Sequence, residues 1–381
     1  NGGNFSLETI HAAICAYDRA MEYFTGESSP STETTTAIAV ELGNLYWMLS
    51  RGFAEPEEKC RYLKQSLEFH RSVLVQIKPP HPLWMPVQNH LGGLYADLAR
   101  YEDAAENLHQ SAIAFEEVLR LKNGDGDSLQ YATTQNSLGT TYWSLAQHRE
   151  PVRYLQQAIA AYCQALEIYT PQQNNPQKNA IDYAMVLNNL GTAYWTLSRH
   201  DRTFENLLLA VDAYCKALKH RTRETLPVGC AATQNNLATA YWHLAQRFEA
   251  ESEQAIEYLQ QAIAAYETAV TVAESVGDRA LPFDLLAAYN NLGLARYQWV
   301  THPHFDGTAE SRQNHLEAAL QHHLLALAGW KQQPERYKTA LDFVVRTIRA
   351  FYNDGDIQTQ NLAFSQLPSD VLPEVMKGLW Y

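Results

Sequence analysis

The sequence predicts an all-α fold built from repeated helix pairs, and three observations carry the prediction. Ala, Leu, Gln, Glu and Tyr dominate long stretches, a composition that favours helix. Apolar residues recur three and four apart, as an amphipathic helix requires. Two sequence patterns alternate along the chain, and self-similarity of this kind marks a repeat array.

The first element is AICAYDRAMEYF at 13–24. It matches AIAAYCQALEIY at 158–169 position for position, so it is a copy of the second pattern with no first pattern before it. The chain also opens on Asn rather than Met, and both features lead to the expectation of a fragment of a longer protein. The first pattern then appears as NNLGTAYWTLSRH at 188–200, with copies at 135–148, 234–246 and 289–299. Its small residue falls at 43, 92, 139, 191, 238 and 293, in steps of 49, 47, 52, 47 and 55 residues. The second pattern is YLQQAIAAYCQAL at 154–166, echoed at 62–74, 108–119, 207–218, 258–270 and 315–327. Breakers separate the copies: KPPHP at 78–82, NGDGD at 123–127, TPQQNNP at 170–176, LPVG at 226–229 and THPHFDG at 301–307. Residues 335–352 form one more amphipathic helix without the Leu-Gly signature, and short helices follow near 357–366 and 370–379. Atypical end units suit the capping of an open repeat core. The terminal Trp380 and Tyr381 read as a cap or a dimer contact.

The chain resembles the tetratricopeptide repeat. The residues that carry the resemblance are Leu190, Gly191 and Tyr194 in a first helix (A), then Ala210, Tyr214, Ala217 and Leu218 in a second (B). The preceding unit repeats them as Leu138, Gly139 and Tyr142, then Ala158, Tyr162, Ala165 and Leu166. The family unit is about 34 residues, so longer helices or longer turns must absorb the excess here. The Asn-Asn-Leu-Ala form at 235–238 is similar to the longer-period repeats of kinesin light chains and of many bacterial regulatory proteins. The resemblance implies a right-handed superhelical α-solenoid whose A helices line its concave surface. It spans residues 1–330, the orphan B helix and six repeats, with 331–381 as capping helices.

Composition narrows the function. A formal charge of −13 argues against wrapping nucleic acid. No run of 18 apolar residues suggests a membrane span. The five cysteines form no CxxC pair and read as reduced, packed thiols of a cytoplasmic protein. No GxSxG, GxxxxGK or HExxH motif is present, so an enzyme is not expected. No cofactor is called for. Asn123, Asp125 and Asp127 hint at a calcium loop, but Thr134 stands where that loop needs Glu, so a turn is expected. His302, His304, His315, His322 and His323 read as exposed histidines rather than a metal site.

The asparagines in front of Leu-Gly are what a stacking helix does not need. At about 100° per residue, Leu190, Gly191, Tyr194 and Leu197 share one face. Asn188, Thr192 and Trp195 fall on the other. The resemblance turns that second face toward the groove. The stripe comprises Asn89, Asn136, Asn188, Asn235 and Asn290, flanked by Asn189 and Asn236. Thr140, Thr192 and Thr239 follow, then Trp47, Trp143, Trp195 and Trp242. A side-chain amide offers two donors and an acceptor, so it pairs with a peptide N–H and C=O together. A row of them suits an extended protein segment, with the tryptophans adding apolar contact. Repeats three to five are the expected seat. No Lys or Arg is expected on their groove face, and His243 comes nearest. Two other readings stay open. The asparagines bond to the neighbouring repeat and fix the stacking, while the tryptophans pack on the next helix. Alternatively, the array is a regulatory sensor module of a larger protein and binds a small ligand or a neighbouring domain.

Overall fold

The computed structural model describes residues 6–25, 32–121, 128–169, 176–201, 204–249, 252–277, 279–354 and 357–380. The expected turn at Asn123, Asp125 and Asp127 lies outside these residues, as do Tyr381 and the side chain of Trp380. The described residues are helical, with no strand among them. The chain divides into two compact units, 1–173 and 174–381.

The first unit holds α1 (Leu7–Thr25), α2 (Thr32–Ser50), α3 (Pro56–Gln76), α4 (Trp84–Leu98), α5 (Ala104–Leu121), α6 (Ser128–Leu145) and α7 (Pro151–Ile168). Each packs on its neighbour in sequence, and α4 also touches α6. The orphan B segment is α1. Repeats one to three are the pairs α2–α3, α4–α5 and α6–α7.

The second unit holds α8 (Pro176–Asp201), α9 (Phe204–Leu218), α10 (Pro227–Ala245), α11 (Glu253–Ser275), α12 (Leu285–Val300) and α13 (Ala309–Gly329). It ends with α14 (Pro334–Asp354), α15 (Ile357–Ser365) and α16 (Leu372–Trp380). Repeats four to six are α8–α9, α10–α11 and α12–α13. The last three helices share an apolar core with α12 and α13 through Val300, Leu316, Leu320, Val344, Ile348 and Val375.

Longer helices absorb the extra length of the unit: α6 and α7 have 18 residues each, α11 has 23 and α8 has 26. Proline opens α3, α7 and α10 in the first turn, where a missing N–H costs nothing. Pro227 was expected in a break between helices and instead begins one. The Asp284 carboxylate caps α12 by accepting from Leu286 and Ala287 N–H, and the Thr308 hydroxyl caps α13 by accepting from Ser311 N–H.

The Leu-Gly pair is explained by one close approach. Leu138 and Leu190 are buried. A Cβ on Gly139 or Gly191 would stand 2.7 Å from the ring of Tyr162 or Tyr214 on the paired B helix. The same place is filled by Phe115 against Gly92, by His70 against Gly43 and by His323 against Gly293. Around these rings the B helices present small residues, Ala158, Ala161 and Ala165 in α7 and Ala210, Ala213 and Ala217 in α9, all buried. Small side chains let the paired helices approach closely, and the ring fills the space that remains.

Candidate functional site

The three threonines of the stripe are engaged inside their own repeats. Thr140 donates to the Asn136 carbonyl at 3.0 Å, Thr192 to Asn188 at 3.0 Å and Thr239 to Asn235 at 2.9 Å. With those protons placed, the hydroxyl oxygens accept from the phenols of Tyr162, Tyr214 and Tyr266 at 3.2, 3.1 and 2.9 Å. Burial pushes all three phenols up, Tyr266 to about 12, which keeps them protonated as donors. The pairing is visible in the sequence once its two halves are set side by side. The repeats that write Thr after the small residue are those with Tyr as the B-helix ring. Asn44, Gly93 and Leu294 accompany His70, Phe115 and His323, which have no phenol.

Several asparagines tie one A helix to another element. Asn89 Oδ1 lies 3.1 Å from the Thr134 hydroxyl of α6. Asn188 Oδ1 lies 3.1 Å from the Thr233 hydroxyl and accepts from the Asn236 side-chain amide at 3.3 Å, both on α10. Asn290 is buried and meets His323 Nδ1 of α13 at 3.0 Å. These contacts join neighbouring repeats at Asn89, Asn188 and Asn236, whereas Asn290 bonds within its own helix pair. Asn136, Asn189 and Asn235 are half-buried on α6, α8 and α10.

Tryptophans of the stripe reach the next A helix. Trp47 Nε1 donates to Asp97 Oδ2 at 2.8 Å, and Trp242 Nε1 donates to Gln298 Oε1 at 2.7 Å. His243 lies between Trp195 and Trp242, with ring centroids at 5.6 and 5.0 Å. Burial, aided by Arg199 and Arg247, lowers its pKa to about 4, so this imidazole is neutral near pH 7. One turn beyond the tryptophan an arginine stacks on the same ring: Arg51 over Trp47 at 5.0 Å and Arg199 over Trp195 at 5.4 Å. Arg199 corrects the expectation of no cation on this face in repeats three to five. It stands eleven residues after Asn188, three turns on, past the end of the motif copies that define the stripe.

In the first unit this face opens into a cleft of 540 Å³. Its walls are Trp47 and Arg51 on and just after α2, then Gly93, Ala96, Asp97 and Arg100 on and just after α4, then Asn136, Thr140, Trp143 and Gln147 on and just after α6. Buried Leu108 and Phe115 of α5 form its floor. The volume lies within the usual range for ligand-binding clefts. In the second unit a hollow of 120 Å³ lies between Thr239, Trp242, His243, Tyr266, Asn291 and Leu294. The first-unit cleft lies at repeats one to three, and the motif copies point to repeats three to five. The arginines were the residues missed, and their signal was the cation four residues after Trp47, Ala96 and Trp195: Arg51, Arg100 and Arg199.

The histidines near the sixth repeat are less exposed than expected. His302 and His323 are buried. His315 Nδ1 meets Arg296 Nη1 at 2.8 Å, and His322 stacks on Tyr289 at 5.9 Å. His323 is buried because it takes the ring position against Gly293. Among the described residues, no three His, Cys, Asp or Glu side chains are placed to hold a metal ion. No described helix is long and apolar enough to cross a membrane.

Comparison with known proteins agrees with this geometry. The tetratricopeptide-repeat family model matches residues 132–176, the α6–α7 pair. No curated protein matches the sequence. Among solved structures, the chain is similar to Nro1, described as a hypoxic regulator of sterol synthesis and nuclear import adaptor. The two share 10% identity over 86% of this chain and 99% of that one, with a TM-score of 0.50. BtubC (BKLC) from P. vanneervenii is 20% identical over 74% of this chain and 96% of its own, with a TM-score of 0.46. The Rap conjugation gene regulator of plasmid pLS20, solved with the Phr* peptide, is 11% identical over 97% of this chain and 89% of its own, with a TM-score of 0.41. The Gly-to-ring contact of the matched α6–α7 pair recurs in α2–α3, α4–α5, α8–α9 and α12–α13, while α10 carries Ala238 at that place, and in these helix pairs the chain is similar to the tetratricopeptide repeat.

Proposed function

We propose that the protein is an interaction scaffold that binds an extended segment of another protein on its A-helix face. The observation that carries the reading is the 540 Å³ cleft of the first unit. There Asn136, Thr140 and Trp143 line one space together with Trp47, Arg51 and Arg100. An amide in such a cleft suits a peptide backbone, because it donates to a carbonyl and accepts from an N–H whatever the side chain. Indole rings and guanidinium groups alongside supply apolar contact and side-chain preference. Of the asparagine row, Asn136 is the reader we assign in the first unit and Asn235, beside Asn189, in the second. Asn89, Asn188 and Asn236 hold the stack, as Asn290, Thr140, Thr192 and Thr239 hold the helix pairs. Trp195 and Trp242 shape the face of the second unit.

The test is selection of random peptides displayed on phage against the whole chain, followed by titration of the selected peptides. Asn136→Ala, with an unchanged melting temperature, is expected to weaken binding roughly tenfold, the loss of a pair of hydrogen bonds. Selected peptides that bind the variant as tightly as the parent would remove the groove from the account.

A further inference from the structure

The first-unit cleft is lined where repeat two departs from the stripe at two positions. The position seven after the stripe's first residue is Trp47, Trp143, Trp195 and Trp242 in repeats one, three, four and five, and Tyr297 in repeat six. Repeat two has Ala96 there, and Gly93 where repeats three to five have Thr. Gly93 is itself fitted to its surroundings, since a Cβ on it would stand 2.7 Å from the Trp47 ring. Four residues beyond Ala96 stands Arg100, the counterpart of Arg51 and Arg199, which lie over Trp47 and Trp195 at 5.0 and 5.4 Å. Arg100 has the guanidinium of that pair but no indole of its own helix beneath it. Ala96, Gly93 and Arg100 all line the cleft, between the rings of Trp47 and Trp143.

We propose that this notch receives an aromatic side chain of the bound segment, which takes the place of the absent tryptophan and stacks beneath Arg100. The inference rests on the groove reading above and names what the groove selects. Three features favour an aromatic guest over an aliphatic one. The walls are indoles, which prefer edge-to-face or offset partners. The rim is a guanidinium, which a ring face attracts and an aliphatic chain does not. The chain itself fills the equivalent place with an aromatic ring in every other repeat.

The experiment uses the full-length chain and the same phage-displayed random peptides. Selected sequences are expected to share one Trp, Tyr or Phe, and its replacement by Leu to weaken binding severalfold. Ala96→Trp restores the residue that the other repeats carry. It is expected to fold, to melt no lower than the parent, and to weaken the aromatic peptides at least tenfold. Should that variant fail to fold, Arg100→Gln serves instead, with an expected loss of roughly two- to thirtyfold for aromatic peptides and none for their Leu versions. Peptides that depend on Asn136 yet show no aromatic preference, or bind Ala96→Trp undiminished, overturn the notch and leave the groove standing. Peptides indifferent to Asn136→Ala overturn the groove, and the notch falls with it. Self-association in sedimentation that Ala96→Trp abolishes would put a second copy of this chain in the notch and overturn the assignment to a foreign partner.

Discussion

At the scale of the residue, the threonines change their meaning most. On a helical wheel Thr192 sits near 40°, beside Asn188 at 0°, and the sequence alone assigns it to the groove. A phenol projecting from the B helix nevertheless reaches it, which no wheel of a single helix can show. The co-occurrence of Thr and Tyr was legible, because it needs only the two motifs compared repeat by repeat. Tyr214→Phe removes a hydrogen bond at a side chain 1% exposed, and is expected to cost about 1 kcal/mol in urea unfolding. Thr192→Val combined with it should cost less than the two singles added, since the second change finds the bond already broken. Full additivity would contradict the clamp.

Buried histidines give the molecule an acid-sensitive side. His70 and His323 occupy ring positions with no exposed surface, and burial lowers their pKa values to about 4 and about 3. His90 faces His70 at 3.3 Å and opposes its charge, while Glu41 acts on His90 in the other direction. Around His323 stand His322, Asn290 and Phe343. The folded values lie below the unfolded one of about 6.5, so the unfolded chain takes up protons first. Stability is therefore unaffected above pH 7, falls as the pH drops below about 6.5, and levels off near the folded values. At about pH 5 each histidine is expected to cost about 2 kcal/mol relative to pH 7.5. Chemical unfolding at the two pH values measures it. His70→Phe, the solution used by Phe115 in the next repeat, should shrink the acid penalty by that amount.

At the scale of the element, the helices were legible because the two patterns carry helical periodicity and proline or glycine marks most of their ends. The turns between A and B helices were not. Asp103 and Glu150, the residues just before α5 and α7, hold φ of 42° and 44°, a left-handed conformation that Asp adopts more readily than Glu. Such a residue costs roughly 1 kcal/mol or more, and packing on both sides holds it. Glu150→Gly is expected to stabilise the first unit by up to about 1 kcal/mol in thermal or urea unfolding, since its ion pair with Arg153 is exposed and weak. A loss of stability would show that the Glu150 side chain matters more than its backbone. The arginine one turn past each tryptophan belongs to this scale too. It lies beyond the repeated motif and is variable, Arg51, Arg100 and Arg199 against Gln147 and Gln246, so motif comparison passes over it.

At the scale of the molecule, repetition makes the variations informative. Six near-copies of one helix pair set an expectation at every position, and each departure marks a place where packing alone does not decide. His70 and His323 replace the ring, and Ala96 with Gly93 opens the stripe. The asparagine row differs from repeat to repeat in what surrounds it. Asn89, Asn188 and Asn290 meet side chains of other helices, and Asn136 stands in the lining of the cleft. Their side-chain types are identical, so only the neighbours supplied by folding tell them apart. The measurement that tests the central claim most directly is photo-cross-linking of a selected peptide carrying a benzophenone, with the adducts mapped by mass spectrometry. The groove account predicts adducts on the A-helix face between Trp47 and Gln147. Adducts concentrated instead on the exposed B-helix side, at Ile113 or Val152, would contradict it.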